Sequence, residues 1–461
     1  MATALVTHAG TRFGLIAAEI LGGRRDRILL SVDPDCAAEI RARLAALPGA
    51  ELIDADCAIE GDWDRIAESV GADGGLDLHI HCPHPALDQV KAEVALHSAW
   101  LAARNANRVM RGQGTLLVQH LISEPDAPGG APELEAAASG VERALAGALL
   151  DAAKAGLILR SNRLGFPVSA DAAHVRAATQ LLVDERSRFM TGGEIMLDGR
   201  AAIGGSSARL DGKTILITGA TSGIGRATAV EMGRLGAFVA VGGRKLHLAE
   251  ETLALVRAAG GDGMTISLDV TSGEAWAAAT KAIVTARGAL HGLVNNAGEQ
   301  KNGTIASLSQ ADLGFLVDIN YRGTRNGMDE ALQPIAASGG GAIVNIASVA
   351  GIRAGYGASA YGGSKAAMIG LSLAYARRFA TTGVRVNALQ PGFIWSDSVV
   401  DSLGVEGAAN FRAMIEPRTP LGRVGSPEDV AGMIAFLLSD AAAAISGQAI
   451  TVSGGLELSF P

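Results

Sequence analysis

Short apolar runs recur along the chain, and an Ala-rich stretch of helical character follows each. ATALV from Ala2, KTILI from Lys213, AFVAVGG from Ala237 and VRVNALQP from Val384 are such runs. RATAVEMGRLG (Arg226–Gly236) and ELEAAASGVERALAGALL (Glu133–Leu150) are among the helical stretches. Apolar strands alternating with helices predict a parallel sheet covered on both faces. The chain is read as an α/β protein built from two tandem doubly wound parallel-sheet domains.

The pattern runs through twice. The opening ATALV leads into THAGTRFG from Thr7, and KTILI leads into TGATSGIG from Thr218. The first series closes on FMTGGEIMLDG from Phe189 and the second on AISGQAITVSGG from Ala444. Matching ends in matching order point to a divergent internal repeat. DGRAAIGGSSARLDGK (Asp198–Lys213) lacks apolar periodicity and carries a Gly-Gly-Ser-Ser run, so the boundary is placed near 204–209. The expected domains are 1–205 and 210–461.

Composition narrows the class. The 461 residues suit about two domains. A net charge of −8 weighs against nucleic acid as a partner. No apolar run reaches the roughly 18 residues that span a bilayer, so no membrane partner is expected. The N-terminus lacks a basic segment followed by an apolar one, so no signal peptide is expected. Three cysteines, Cys36, Cys57 and Cys82, fit a reducing compartment. The expected location is cytoplasmic.

The second half carries the chemistry. In TGATSGIG, Gly219, Gly223 and Gly225 permit a tight turn and close approach of a pyrophosphate, with Thr221, Ser222 and Ile224 between them. The next strand ends at Gly243 and is followed by Arg244. No acid stands between Phe238 and Leu248, and an arginine there accommodates a 2′-phosphate, so NADP(H) is preferred over NAD(H). Further on lie SLDVT with Asp269 and Val270, NNAG with Asn296, Ala297 and Gly298, Asn320, Ser348, and then Tyr361 and Lys365. QPGFIWSD closes the series with Pro391, Gly392, Phe393, Ile394, Trp395 and Ser396. Tyr361 and Lys365 are i and i+4 on a predicted helix and share a face. A neighbouring ammonium is expected to lower the phenol's pKa and make it useful near neutrality. No metal is expected at this site.

This conjunction strongly resembles the short-chain dehydrogenase/reductase family over about residues 210–461. The resemblance implies that Tyr361 exchanges the substrate proton and Ser348 orients the carbonyl. It implies that Lys365 tunes Tyr361 and binds the nicotinamide ribose, and that Asn320 holds a water relaying protons to Lys365. Asp269 would meet the adenine, and Asn296 would serve both cofactor contact and sheet stability. Ser396 stands where the family often has threonine against the carboxamide. VSGG at Val452–Gly455 replaces a more usual Asp-Gly-Gly.

The first half reads as a degenerate Rossmann-like copy. His8 and Arg12 replace two loop glycines and only Gly14 stays in register. His8 is expected to crowd the turn and Arg12 to block a pyrophosphate or, alternatively, to bind an anion. All four tyrosines of the chain lie in the second half, so tyrosine-based hydride chemistry is excluded from the first. HIHCPH offers His79, His81, Cys82 and His84, a zinc-like set. No second ligand cluster follows, so packed or hydrogen-bonded histidines are the expectation.

A long first domain joined to a reductase domain is similar to the high-molecular-weight 3-oxoacyl-(acyl-carrier-protein) reductases. That group can use NADH, against the Arg244 argument. The expected reaction is NAD(P)H-dependent reduction of a 3-oxoacyl thioester of coenzyme A or acyl-carrier protein. The alternatives are a dehydrogenase of a free secondary alcohol, steroid or sugar, and a non-enzymatic cofactor-binding scaffold. A lid is expected between Phe393 and Pro420, with Phe393 and Trp395 lining it. Arg412 and Arg418 could approach a carrier phosphate or remain solvated. Family members commonly form tetramers, so a homodimer imitating one is expected.

Overall fold

The computed structural model describes residues 3–57, 59–71, 75–83, 92–121, 132–167, 169–197, 207–353 and 355–459. The chain divides into two compact units, residues 1–201 and, in the main, residues 202–460. Among the described residues, no helix is long and apolar enough to cross a membrane.

The first unit contains strands β1 (Thr3–Thr7), β2 (Arg27–Val32), β3 (Ala50–Asp54), β4 (Leu76–His81), β5 (Met110–Leu121), β6 (Ile158–Phe166) and β7 (Glu194–Met196). Its helices are α1 (Arg12–Leu21), α2 (Ala38–Ala45), α3 (Asp62–Gly71), α4 (Ala92–Val109), α5 (Pro132–Lys154) and α6 (Ala172–Val183). The second unit contains β8 (Thr214–Ile217), β9 (Phe238–Gly243), β10 (Asp262–Ser267), β11 (Gly292–Asn295), β12 (Gly341–Ile346), β13 (Val384–Pro391) and β14 (Ala449–Val452). Its helices are α7 (Gly223–Arg234), α8 (Leu246–Ala258), α9 (Gly273–Arg287), α10 (Gln310–Leu316), α11 (Gly323–Ala337), α12 (Ser359–Arg378), α13 (Asp397–Ile415) and α14 (Pro427–Leu438).

Each unit is a seven-stranded parallel sheet. The orders are β3-β2-β1-β4-β5-β6-β7 and β10-β9-β8-β11-β12-β13-β14, the same winding twice. The central strands β1 and β8 are buried at every position, as strands covered on both faces must be. The registers also repeat. Thr3 faces Arg27 as Thr214 faces Phe238, and Val6 faces Ile80 as Ile217 faces Val294. His81 faces Val118 as Asn295 faces Asn345, which sets His81 in the place of Asn295. His84 lies outside the described residues, as do residues 198–206 of the expected linker.

The cores repeat a detail that the sequence reading did not use. Trp63 and Trp276 are fully buried, and each indole N–H donates to the carbonyl six residues earlier, Cys57 O at 3.1 Å and Val270 O at 3.0 Å. Each ring thereby anchors the loop leaving the third strand. Trp63→Ala is expected to cost the first unit about 3–5 kcal/mol. Denaturant unfolding followed by circular dichroism should show the lower of two transitions moving, or a single one splitting.

Candidate active site

The site lies at the carboxyl edge of the second sheet, where a doubly wound fold opens. The turn between β8 and α7 makes its floor. Gly219 and Gly223 adopt left-handed backbone, φ 60° and 50°. A Cβ on Gly225 would lie 2.3 Å from Gly219 O, so only glycine lets α7 begin this close to the turn. Thr221, Ser222 and Ile224 complete the loop. Ser222 sits at the N-cap of α7 without a side-chain capping bond among the described residues, and the helix N-terminus faces the cleft edge. Across the loop, an added Cβ on Gly223 would be 3.6 Å from Ser396 Cβ, so these two residues flank one opening. A glycine cradle, a helix N-terminus and a hydroxyl opposite fit a dinucleotide's pyrophosphate and nicotinamide ends.

Asn296 holds this floor to the sheet. Its Nδ2 donates to Thr218 O and Gly219 O, both at 3.0 Å, and the N–H groups of Asn296 and Ala297 donate to Thr218 Oγ1, also at 3.0 Å. Asn296 thus ties the turn to the end of β11. Gly298 is pinned between Asn320 Oδ1 and Lys365 Nζ, which an added Cβ would meet at 3.0 and 3.2 Å. Asp269, beyond β10, accepts from Thr271 N at 2.9 Å and Thr271 Oγ1 at 2.7 Å. Those bonds, aided by the Arg244 charge, hold its carboxyl below the usual range. Val270 is buried and contributes its carbonyl to Trp276. Arg244 follows β9, is largely exposed, and its Nη2 lies 3.5 Å from Glu299 Oε1. It is thus placed at the mouth near Asp269, with an acid already beside it.

The four candidate catalytic residues come together. Asn320 is fully buried in a single π-helical turn, Val317–Arg322, a widening that often marks functional sites. Its amide donates to Glu299 O and Ser364 Oγ, each at 2.9 Å, and its Oδ1 accepts from Glu299 N. Tyr361 and Lys365 share one face of α12, and Lys365 Nζ lies 5.9 Å from the Tyr361 ring centre. Lys365 is buried and donates to Ile346 O at 2.8 Å. Burial brings its pKa down to about 8. Ser348 follows β12, accepts from Ala350 N at 3.1 Å and hydrogen-bonds Tyr361.

One expectation is overturned. The Tyr361 pKa is raised, not lowered: desolvation pushes it up, and only the Ser348 hydrogen bond opposes that. The Lys365 ammonium is turned to the Ile346 carbonyl, so it does not stabilise a phenolate in this state.

Pro391 ends β13 and Gly392 packs on Ser453, whose Cα an added Cβ would meet at 2.7 Å. Ile394 bridges to Gly425, and Ser396 opens α13. The Ser453 of VSGG hydrogen-bonds the buried Glu457 carboxyl four residues on. The segment where a lid is expected forms helix α13, broken at Gly404 (φ 70°, ψ 165°). Phe393 and Trp395 pack with Ile415, Val424 and Leu456 beneath it, Phe393 also against Phe411 at 4.9 Å. Arg412 stacks over Trp395 and pairs with Glu416, while Arg418 donates to Met414 O. Both arginines are engaged within the lid itself. The sequence reading also missed a buried polar line, Asn295 Nδ2 to Asn345 Oδ1 and Asn345 Nδ2 to Ser372 Oγ, each 2.8 Å. Asparagine inside apolar strand runs was its one visible signal.

In the first unit the corresponding cleft is closed by its own side chains. His8 takes the left-handed backbone of Gly219, φ 48°, so it keeps the turn and does not crowd it. Histidine is among the residues that tolerate this region, and here the ring is buried beside Asp33 and Ser98. Arg12, in the Gly223 position, donates to Ala170 O at 3.0 Å and lies over Phe13. His79 packs edge-on against Trp63, and burial lowers its pKa to about 3. His81 bonds Thr7 and Ser98. Burial also raises the Cys82 thiol pKa. The described part of HIHCPH is thus packed and hydrogen-bonded.

A family model described as Enoyl-(Acyl carrier protein) reductase matches residues 219–457. A 3-oxoacyl-(acyl-carrier-protein) reductase of Staphylococcus aureus is 36% identical over 246 residues, 53% of this chain and 98% of the relative. One from Thermotoga maritima is 35% identical over 252 residues, 54% of this chain and 99% of the relative. Among solved structures, a short-chain type dehydrogenase/reductase from Mycobacterium marinum is 30% identical with a TM-score of 0.51, covering 54% of this chain and 97% of its own. An actinorhodin polyketide ketoreductase variant with NADPH is 33% identical with a TM-score of 0.50, covering 53% and 97%.

The buried lysine predicts a pH signature. Its folded pKa of about 8 lies below the ordinary 10.5, so between these values the unfolded chain binds the extra proton and stability rises with pH. Tyr361, whose folded pKa is raised, acts in the opposite direction only above its ordinary 10.0. The cofactor-free chain should gain about 1–2 kcal/mol as pH rises from roughly 8 to 9.5. Lys365→Met should flatten that rise in urea titrations.

Proposed function

Because the chain belongs to the short-chain dehydrogenase/reductase family, we propose that its second unit reduces a 3-oxoacyl thioester to the 3-hydroxyacyl thioester. The chain is a nicotinamide-dependent oxidoreductase, and NADP(H) is the preferred form in this reading, NAD(H) the alternative. The observation that carries the reaction is the gathering of Asn320, Ser348, Tyr361 and Lys365 at the open edge of β11, β12 and β13. The 3-oxoacyl substrate is supported by relatives that are 3-oxoacyl-(acyl-carrier-protein) reductases and align over almost their whole length.

The nicotinamide, when bound, supplies the hydride. Ser348 donates its hydroxyl hydrogen bond to the substrate carbonyl and holds it toward Tyr361. Tyr361 gives its phenolic proton to the carbonyl oxygen as negative charge builds there, and a protonated phenol with a raised pKa is the form reduction needs. Lys365, deprotonating near neutrality, returns a proton toward Tyr361. Asn320 and Ser364 fix the wall beside it. Asp269 and Arg244 hold the adenosine end, with Arg244 exchanging Glu299 for the 2′-phosphate. The thioester carrier is coenzyme A or acyl-carrier protein, and the location proposed is cytoplasmic.

Initial rates with acetoacetyl-coenzyme A should be faster with NADPH than with NADH, and Tyr361→Phe should lower kcat by roughly 10²–10⁴-fold. Faster turnover with NADH keeps the reaction and removes the Arg244 assignment. Turnover of secondary alcohols alone, with none of the thioester, moves the function to the free-alcohol dehydrogenases.

The first unit, with no tyrosine, is proposed to take a neighbouring subunit's place, so that a homodimer offers four similar folds and two active sites. Light scattering at micromolar concentration should give twice the 46.9 kDa chain mass. A monomer rules this out.

A further inference from the structure

The strand registers give the first unit's strand-end residues counterparts in the second. Asp33 follows Val32 as Arg244 follows Gly243, and Asp56 stands two residues beyond Asp54 as Asp269 stands two beyond Ser267. His8 holds the place of Gly219. The residues corresponding to the adenosine end of the cleft are therefore an imidazole and two carboxylates, leaving the ends of β1, β2 and β3.

They converge. One ligand atom from each of His8, Asp33 and Asp56 lies within 4.8 Å of the other two. His8 and Asp33 are buried and Asp56 half-buried. His8 Nδ1 and Asp33 Oδ1 are 3.4 Å apart. That is longer than the 2.7–3.2 Å of an ordinary N–H···O bond. It matches two ligands of one tetrahedral ion, each about 2.1 Å from the metal and so about 3.4 Å from each other.

The far nitrogen of the imidazole is engaged by a chain of side chains. His8 Nε2 lies 3.3 Å from Ser98 Oγ, which lies 3.1 Å from His81 Nε2, and His81 Nδ1 lies 2.8 Å from Thr7 Oγ1. Such an outer chain fixes ring orientation and leaves Nδ1 directed at the carboxylates. Around the cluster, Arg41 gives its guanidinium to Asp54 and to the main-chain carbonyls of Asp33 and Pro34. Arg65 pairs with Asp62, whose other oxygen accepts the Asp56 N–H.

We infer that the first unit binds a divalent transition-metal ion of the zinc type between His8 Nδ1 and the carboxylates of Asp33 and Asp56. One nitrogen and two oxygens suit zinc, cobalt or manganese. Magnesium and calcium favour all-oxygen shells of six or more ligands, which this set does not supply. The ion occupies the corner that in the second unit is proposed to receive the adenosine, so loss of one ligand class accompanies gain of another.

The test uses the full-length chain, treated with EDTA, returned to metal-free buffer and titrated calorimetrically with ZnCl2. About one equivalent should bind saturably, and MgCl2 should give dilution heat only. His8→Asn retains a residue that tolerates left-handed backbone. It and Asp33→Asn should each weaken zinc binding by at least about tenfold. CoCl2 added to the unaltered chain should give visible d–d bands that saturate at one equivalent, a readout that needs no variant to fold. No saturable zinc binding together with no cobalt bands overturns the site. Binding of equal strength in the unaltered chain and both variants also overturns it, by placing the ion elsewhere.

Discussion

Each unit depends on a contact that no side chain can enter. A Cβ on Gly14 would stand 2.1 Å from His8 O, and one on Gly225 would stand 2.3 Å from Gly219 O. The helix after the first strand can start against the turn only on those terms. From that start follow the angle at which α1 and α7 cover their sheets and the direction of their N-terminal N–H groups. In the second unit those groups meet an open cleft. In the first the same geometry persists after the cleft has closed. Packing alone is therefore enough to retain the last glycine of the loop.

The working edge of the second sheet is built against its own stability. Lys365 is buried with a single carbonyl partner among its described bonds, and the helix before it widens to seat Asn320. The nearby line from Asn295 through Asn345 to Ser372 compensates by satisfying every buried amide it introduces near the strand ends. A lysine that loses its proton near neutrality is what burial costs and what proton return requires. Stability and chemistry meet here in one side chain.

Much of this was legible in the sequence because it rests on local rules. The glycine spacing gave the turn, the i, i+4 placement gave the shared face of Tyr361 and Lys365, and the alternation of runs gave both sheets. What was not legible depended on residues far apart or on backbone choices a side chain does not announce. His8 keeps a glycine's conformation because Asp33 and Ser98, 25 and 90 residues away, hold its ring. Arg12 finds Ala170 only once the segment between β6 and α6 reaches the loop. The Ser453–Glu457 bond needs the tight turn at the end of the chain, and the direction of the Tyr361 shift depends on where Lys365 points. The equivalence of Trp63 and Trp276 emerges only when strand register fixes the offset between the halves.

The closure of the first cleft also has a direction in time. Restoring glycine at position 8 would strand the two strand-end acids without their imidazole, and Arg12 would still tie the loop to Ala170. Restoring position 12 alone would leave the imidazole in place. Each single reversal loses a present contact. The arrangement behaves as a ratchet: a lineage can enter it one substitution at a time but must leave by several at once. Such a domain is free to drift toward new ligands and partners, while the way back to its neighbour's chemistry stays shut.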